Sequence, residues 1–250
     1  MTPPLDAPMT EDWQTGMAIV AHPDDLEYGT AAAIAHWTAQ GKELSYCLVT
    51  SGEAGIDGMP PEEAKAVREA EQRASAAIVG VDAVEFLGFP DGVLEYGLPL
   101  RRAIARAIRA RRPEIVITNN LRDTWSGEEL GRDFAPLNHA DHVATGRAIV
   151  DGVRDAANRW VFTDLLDEGL PPWGGVRQVW VAHSPLAAHG IDVTESFARG
   201  VASLEAHEAY LKGLGRADFD PGEFLESLAR RAGTRFGCKF ATSFEVIRFD

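Results

Sequence analysis

Short apolar runs alternate with longer amphipathic segments along the chain. The apolar runs are brief and end in polar residues, glycine or proline, which is typical of buried strands; they cover residues 17–21, 44–50, 83–88, 115–118 and 176–182. Apolar side chains at helical spacing, or abundant alanine, predict helices between and after them, over residues 27–40, 61–79, 98–111, 139–154, 195–214 and 223–232. Alternating apolar side chains in residues 244–249 predict a final strand at the sheet edge.

This alternation of strands and helices predicts an α/β fold. We expect a Rossmann-like, mostly parallel twisted sheet flanked by helices in a single domain. The domain is predicted to cover residues 13–250, after a polar N-terminal leader at residues 1–12. In such sheets the ligand crevice lies beyond the carboxyl ends of the strands, so the loops after the predicted strands are the places to look for chemistry.

The composition narrows the range of partners. The chain has 250 residues, 45% of them hydrophobic, which is enough to bury a core and excludes a disordered or fibrous protein. With 24 basic and 38 acidic residues, the formal net charge of -14 repels nucleic-acid phosphates and anionic membranes. We therefore expect neither nucleic acid nor membrane insertion. The arginines of residues 101–112 are interpreted as the solvated face of an amphipathic helix.

The cysteines and the N-terminal residues indicate the compartment. Cys47 and Cys238 are far apart and neither belongs to a Cys-x-x-Cys pair, so no disulfide framework or cysteine zinc site is predicted. The first twelve residues lack a basic segment followed by an apolar run, and no apolar stretch approaches 18 residues. These features predict a soluble, cytoplasmic protein.

The loop after the first predicted strand concentrates charged side chains. It contains His22, Asp24, Asp25 and Glu27, one imidazole and three carboxylates within six residues. Adjacent carboxylates repel each other unless a cation or buried hydrogen bonds offset the repulsion, so a divalent metal is one explanation. The alternative is a helix N-terminus, which also favours Asp and Glu in its first turn.

A second group of polar side chains begins a later predicted helix. His139 and His142 are three residues apart, so they share one face of a helix and can enter one site together. The alternative is a pair of capping or exposed histidines. Because both groups are predicted at the same edge of one sheet, we expect them to meet there.

Two histidines and one carboxylate with an open position suit a catalytic zinc ion. A remaining carboxylate could then act as general base and a remaining histidine as general acid, which predicts hydrolysis of an amide or ester. Fe2+ or another divalent metal is an alternative for the same ligand set. A metal- or sugar-binding α/β module without hydrolytic activity is the alternative function. The chain has no Gly-x-Gly-x-x-Gly, Walker or Gly-x-Ser-x-Gly motif, which argues against nucleotide binding and a serine esterase.

The order of these motifs resembles the PIG-L/LmbE-like zinc-dependent N-deacetylases. The resemblance is carried by His-Pro-Asp-Asp at residues 22–25, Thr-Ser-Gly-Glu at 50–53 and His-Ala-Asp-His at 139–142. It is supported by Arg-Glu-Ala-Glu at 68–71 and Phe-Pro-Asp-Gly at 89–92. Members of this family remove acetyl groups from N-acetylated amino sugars and related glycoconjugates, so the resemblance implies a small-molecule substrate of that class.

The resemblance also implies a role for each motif residue. It implies that one zinc ion has three protein ligands: His22, Asp25 and His142. Asp24 would be the general base, and His139 would protonate the leaving nitrogen or stabilise the oxyanion. Asp141 would orient His139.

Other positions are matched less directly. The resemblance implies that Arg68 and Asp91 hydrogen-bond to substrate hydroxyls. In one branch of the family a tyrosine shortly before the His-x-Asp-His motif polarises the substrate carbonyl, whereas this chain has Leu137 and Asn138 there. His207 is interpreted as a histidine buried in a helix, and a homo-oligomer is left open.

Overall fold

The structure is a computed structural model that describes residues 7–126, 136–216 and 218–249. The strands of the described residues form one eight-stranded sheet. In chain order they are β1 (Ala7–Pro8), β2 (Thr15–Val20), β3 (Glu43–Leu48), β4 (Ala83–Phe86), β5 (Ile115–Thr118), β6 (Gln178–Ala182), β7 (His189–Asp192) and β8 (Ala241–Arg248).

The helices connect the strands and cover the sheet. They are α1 (Ala31–Ala39), α2 (Pro61–Ile78), α3 (Leu98–Arg111), α4 (Ala140–Ala157), α5 (Asp164–Asp167), α6 (Phe197–Glu205), α7 (Glu208–Gly213) and α8 (Pro221–Phe236). The local sequence explains where several of these helices begin or end. Proline opens α2 at its first turn, the side chain of Asp220 caps α8, and Gly237 closes α8 in a left-handed conformation.

The strand order across the sheet is β1-β7-β8-β6-β5-β2-β3-β4. Strands β2 to β6 pair in parallel, which confirms the predicted α/β class with a mostly parallel sheet. The chain runs outward from β2 through β3 to β4 and then returns to β5 on the other side of β2. The order therefore reverses between β2 and β5, and the loops after these two strands flank the crevice.

The last strand does not lie at the sheet edge, so that prediction was wrong. Strand β8 is antiparallel to both β6 and β7, and is paired along both sides. The sequence pattern missed β7, because a four-residue strand that begins with histidine and glycine has too few apolar positions to show alternation. Strand β1 then pairs with β7 and extends the sheet by one short strand.

The helix predicted over residues 195–214 is two helices. Helix α6 ends at Glu205 and α7 begins at Glu208, and between them His207 leaves the helical conformation with φ -85° and ψ 55°. The His207 side chain is fully buried. This break turns α7 back toward α2. The first helix also begins later than predicted, at Ala31, because residues 21–30 form a loop.

Apolar side chains cover both faces of the sheet. On one face a group of aromatic rings includes Trp13, Trp37 and Trp180, with ring centroids 5.2 to 5.7 Å apart. On the other face, apolar side chains of α3 and α4 pack on β2 and β5, among them Ile104, Ile108 and Ile149. The two layers hold the strands rigidly below the loops of the crevice. No helix in the described part of the chain has the length and apolar character needed to cross a bilayer.

The arginines of residues 101–112 were interpreted as a solvated helix face, but one of them is buried. Arg109 is 2% exposed, and its guanidinium donates hydrogen bonds of 2.8 to 3.2 Å to four main-chain carbonyls, those of Asp155, Ala156, Asn158 and Val161. These carbonyls lie at the end of α4 and just after it, where a helix leaves its last acceptors unsatisfied. The other arginines of the run include Arg102 and Arg106, which form exposed ion pairs with Asp164 and Glu168.

We expect Arg109→Lys to lower the free energy of unfolding by about 2 kcal/mol, because one ammonium cannot reach four carbonyls that a planar guanidinium satisfies together. Arg106→Lys is the matched control; its side chain is 45% exposed, and we expect a change within about 0.5 kcal/mol. Denaturant unfolding of the two variants and the parent measures both values. Equal stability of all three proteins would show that the buried contacts of Arg109 contribute little.

Candidate metal centre

The two predicted groups of polar side chains meet at the carboxyl edge of the sheet. The loop after β2 brings in His22 and Asp25, and the start of α4 brings in His139 and His142. His139 caps α4, and its Nδ1 accepts a hydrogen bond of 3.3 Å from the Asp141 amide. The ring centroids of His22 and His142 are 5.2 Å apart. The expectation that both groups enter one site is confirmed.

Three side chains form a compact donor set: His22, Asp25 and His142. The Nε2 atom of His142 lies 2.9 Å from Asp25 Oδ1, and Nδ1 of His22 lies 3.6 Å from Asp25 Oδ2. Two imidazoles and one carboxylate that converge on one position are typical ligands of a catalytic zinc site with an open coordination position.

The hydrogen bonds around this set leave one nitrogen of each imidazole facing Asp25. Nδ1 of His142 is 3.0 Å from Oδ1 of Asn138, which leaves Nε2 as the donor atom toward a metal. Nε2 of His22 is 3.1 Å from Asp91 and 3.3 Å from Asp141, which leaves Nδ1 as its donor atom. Carboxylates and amide oxygens on the far nitrogen are the partners that orient metal-bound histidines. The donor set therefore fits a metal ion.

A second set in the described residues shares His22 and combines it with His139 and Asp141. Its carboxylate is already engaged, because Asp141 accepts hydrogen bonds of 2.7 and 3.1 Å from the main-chain amides of Gly92 and Leu94. The first set is therefore the better cation site. Asp141 was expected to orient His139, but its carboxylate lies against His22 instead. It contacts His139 only through its main-chain amide.

The electrostatics of the site also favour a cation. Burial alone would lower the pKa of His22, but the carboxylates of Asp25, Asp141 and Asp91 outweigh it and raise this pKa to about 12. Burial would raise the pKa of Asp25, but the rings of His142 and His22 hold it well below its usual range. Without a metal, His22 therefore carries a proton that balances the buried carboxylates. A divalent cation supplies the same balance and restores the neutral imidazole that coordinates metals.

Asp24 lies beside the donor set in a strained conformation. Its φ is 90°, a region that residues other than glycine rarely adopt and that often occurs at functional sites. Its main-chain amide donates a 3.0 Å hydrogen bond to Gln72, and Oδ1 accepts one of 2.9 Å from Arg68. The ring of Tyr210 packs against the Arg68 guanidinium, with its centroid 4.3 Å from Cζ. Burial raises the pKa of Asp24, against the opposing charge of Arg68, which moves a carboxylate toward the range useful for a base.

The two residues expected to bind substrate have other contacts in this structure. Arg68 is 2% exposed, and its guanidinium donates to Asp24 and to the carbonyls of Pro23 and Gly52. Asp91 contacts His22 and accepts a 2.8 Å hydrogen bond from the amide of Ala54. Both line the cavity that contains the donor set. Their contacts position Asp24 and His22, and their role in substrate binding stays a prediction.

A buried polar layer supports the loop from beneath. Glu27 is fully buried, and one of its oxygens accepts hydrogen bonds of 2.8 Å from Gln72 and 2.7 Å from Ser75. His207 Nε2 lies 3.9 Å from the other oxygen. Burial would raise the pKa of Glu27, but His207 and these donors lower it. Glu27 is thus held as a structural anion, and His207, from the break between α6 and α7, pairs with it.

Three further residues surround the centre, and sequence reasoning gave none of them a role there: Gln72, Asn138 and Tyr210. Asn138 lies directly before the His-x-x-His motif, and this adjacency was the one signal that could have pointed to it. Leu137, at the position of the expected tyrosine, is 65% exposed, and the ring centroid of Trp125 lies 6.0 Å from that of His142.

The fold and the centre together define a class of protein: an α/β protein with a two-histidine, one-carboxylate donor set that could hold a metal ion. The chain belongs to the PIG-L family. Residues 17–153 match the family described as PIG-L, GlcNAc-PI de-N-acetylase. The prediction of an enzyme that hydrolyses an amide bond, an N-deacetylase, is thereby confirmed.

Several named relatives of the chain are deacetylases. It is 31% identical over 144 residues to a probable N-acetyl-alpha-D-glucosaminyl L-malate deacetylase of Bacillus anthracis, a match that spans 55% of this chain and 58% of that protein. It is 28% identical over 239 residues to the diacetylchitobiose deacetylase of Thermococcus kodakarensis, a match that spans 93% of this chain and 82% of that protein.

Solved structures share the fold. The N,N'-diacetylchitobiose deacetylase from Pyrococcus horikoshii superposes with a TM-score of 0.82 at 21% identity, covering 95% of this chain and 85% of that one. A 4-carboxy-2-hydroxymuconate hydratase from Pseudomonas putida superposes with a TM-score of 0.73 at 17% identity, covering 95% and 97%. Because the fold is shared with a hydratase, the reaction has to be argued from the site.

Proposed function

We propose that this protein is a zinc-dependent hydrolase that removes the acetyl or another acyl group from the amine of an N-acylated amino sugar or glycoconjugate. One observation carries the proposal. Asp25 completes the donor set with His22 and His142. The adjacent carboxylate, that of Asp24, is held beside this set by Arg68 and takes no part in it. A binding module needs the ligands alone, whereas hydrolysis needs a base next to them.

Each residue near the centre has a role in this reaction. A zinc ion in the donor set supplies Lewis-acid chemistry, which acidifies water and polarises the amide carbonyl. Asp24 takes the proton from the attacking water, whose oxygen bonds to the carbonyl carbon. His139, which is exposed at the cavity and lies outside the His22, Asp25 and His142 set, gives a proton to the nitrogen as the carbon–nitrogen bond breaks. The products are a carboxylic acid and the free amine.

Neighbouring carboxylates and one side-chain amide hold the histidines in place for this chemistry. Asp141 and Asp91 orient His22, and Asn138 orients His142. Burial lowers the pKa of His139, together with the nearby rings of His22 and His142. A lowered pKa favours the neutral ring, so His139 has to take up a proton before it gives one to the leaving nitrogen.

The substrate class rests on the relatives, two of which are named for acetylated glucosamine compounds. The net charge of -14 favours a neutral substrate or one that releases an amine over a highly phosphorylated one. We propose zinc as the metal because imidazole and carboxylate donors suit it; Fe2+ is the alternative. We also propose a cytoplasmic location, where two unpaired cysteines, Cys47 and Cys238, stay reduced.

Metal removal and a substrate screen test this proposal together. We expect the purified protein to contain about one zinc per chain, the stoichiometry of a catalytic site. It should release acetate from at least one of N-acetylglucosamine, diacetylchitobiose and an N-acetylglucosaminyl conjugate. Dialysis against a chelator should abolish the release, and added zinc should restore it. Acetate release that is unchanged after complete metal removal would contradict the mechanism. Tight zinc binding with no hydrolysis of any member would favour the binding module.

A further inference from the structure

The peptide group that joins Pro23 to Asp24 is held at both of its polar ends. The carbonyl oxygen of Pro23 accepts a hydrogen bond from Nη2 of Arg68, and the amide of Asp24 donates one of 3.0 Å to Oε1 of Gln72. Arg68 and Gln72 are four residues apart on α2, so they lie side by side on one face of this helix. We call this pair of contacts, made by Arg68 and Gln72, the peptide clamp.

The peptide clamp acts on the strained residue of the loop. Asp24 has a φ of 90°, and a residue other than glycine keeps this conformation only where the surrounding contacts impose it. A return of φ to a negative value requires the peptide plane before Asp24 to rotate. A peptide plane has one donor and one acceptor, and with both engaged it cannot rotate without breaking a hydrogen bond. The clamp therefore holds the main chain of Asp24, and with it the position of the carboxylate.

The orientation of the Gln72 side-chain amide is set by its two neighbours. Its nitrogen donates a 2.8 Å hydrogen bond to Oε1 of Glu27, and an ionised carboxylate only accepts. Its oxygen faces the main-chain amide of Asp24, which only donates. The reverse orientation would place donor against donor at Asp24 and acceptor against acceptor at Glu27. Glu27 thus orients Gln72, and Gln72 in turn orients the peptide of Asp24.

The polar face of α2 that carries the clamp is anchored to other helices. Ser75 donates a 2.7 Å hydrogen bond to the same oxygen of Glu27, and its hydroxyl lies 2.8 Å from that of Ser203 in α6. Glu71 accepts a 2.5 Å hydrogen bond from the amide of Ala209 in α7. Networks of buried hydrogen bonds make the elements that they join rigid. Helix α2 therefore offers the loop a fixed surface.

Gln72 acts on the reaction only through Asp24. Its side chain is fully buried, and it does not belong to the residues that line the cavity. Arg68 differs, because it lines the cavity and also contacts the Asp24 carboxylate. A substitution of Gln72 therefore reports on the main-chain half of the clamp without removing a group that a substrate could touch.

We propose that Gln72 is a positioning residue for the general base. It accepts the main-chain hydrogen bond of Asp24, its own orientation is fixed by Glu27, and it thereby holds the Asp24 carboxylate beside the donor set. This inference rests on the proposed function, because that function makes Asp24 the base. It assigns the placement of the base to α2, a helix that contributes no ligand to the donor set.

Steady-state kinetics of two variants test this role. Gln72→Met keeps an unbranched side chain of similar length but makes neither hydrogen bond. We expect it to lower kcat by about 10- to 100-fold, the usual effect of losing a partner that orients a reacting group, and to leave KM near the parent value. Ser75→Ala is the matched control, because it removes a buried hydrogen bond to the same oxygen of Glu27 and none to Asp24. It should keep most of kcat.

Thermal unfolding of both variants shows that they are folded at the assay temperature. If Gln72→Met does not fold, Gln72→Asn replaces it, since an amide on a shorter side chain cannot reach both Asp24 and Glu27. A general loss of stability would lower the activity of the Gln72 and Ser75 variants alike. Equal losses of kcat in the two folded variants would therefore overturn the inference.

Hydrogen exchange of the Asp24 amide, followed by NMR on the zinc-loaded protein, tests the clamp without any hydrolysis. We expect this amide to exchange about tenfold faster in Gln72→Met, the effect of losing one hydrogen bond. The amide of Ile19, in the middle of β2, should keep its parent rate in the same sample. Ser75→Ala should leave the Asp24 rate unchanged.

The outcomes separate the inference from the proposed function. Parent kcat in folded Gln72→Met would overturn the inference, even if the parent hydrolyses N-acetylated sugars. A lower kcat with unchanged exchange at Asp24 would overturn it as well, because the loss would not pass through the clamp. Faster exchange at Asp24, in a protein that hydrolyses no amide, would support the clamp and contradict the proposed hydrolysis.

Discussion

Asp24→Asn should lower kcat for amide hydrolysis by about 10² to 10⁴-fold, the contribution of a positioned general base, while the protein keeps its metal. Asparagine has nearly the same shape and can still accept the hydrogen bond from Arg68, but its amide oxygen takes up no proton from water. It also tolerates a positive φ better than most residues, so the strained loop should survive. Steady-state kinetics and metal analysis of the same preparation measure both effects.

The control for this substitution is Asp82→Asn, which removes one carboxylate from an exposed position away from the cavity. We expect parent kinetics from it, because its charge is remote from the centre. If Asp24→Asn hydrolyses the substrate at the parent rate, Asp24 is not the base. If it loses the metal together with the activity, Asp24 contributes to the ligand set.

His142→Ala should weaken metal binding by more than about 100-fold, since partners beyond the direct ligands already change metal affinity by about 10- to 100-fold. The substitution removes the imidazole whose Nε2 lies 2.9 Å from Asp25 and leaves only His22 and Asp25 in the donor set. Activity should be lost along with the metal. Metal content after dialysis and a competition titration with a chromophoric chelator measure the change.

His139→Ala is the matched control, because it removes the other imidazole at the start of the same helix. We expect this variant to keep its metal and to lose activity, as a proton donor should. The pair of variants also decides between the two donor sets that share His22. Retained metal in His142→Ala and lost metal in His139→Ala would assign the ion to His139 and Asp141 instead.

The central parts of the site were predictable because they are local in sequence. His22 and Asp25 follow a buried strand, and His139 and His142 begin a helix, so each pair is placed by its own segment. The rule that parallel strands direct their carboxyl ends to one edge then brings the two segments together. The parallel strands themselves could be predicted from short apolar runs bounded by polar residues.

The supporting contacts could not be predicted, because each joins residues that are distant in the chain. Gln72 and Asp24 are 48 residues apart, and Asp141 and His22 are 119 apart. The resemblance implied that Asp141 orients His139. In the folded protein its oxygens point to His22 and to the amides of the loop after β4, where more hydrogen bonds are satisfied.

The sequence by itself determined the class of fold, the edge of the sheet that carries the chemistry, and the residue types available for a metal and a base. These properties follow from hydrophobic periodicity and from side-chain chemistry, which short segments carry on their own. Only the tertiary structure decided which nitrogen of each histidine faces Asp25, where β8 pairs, and that the helix predicted over residues 195–214 breaks at His207. Those properties depend on distances between segments that meet only when the whole chain packs, and periodicity contains no information about such distances.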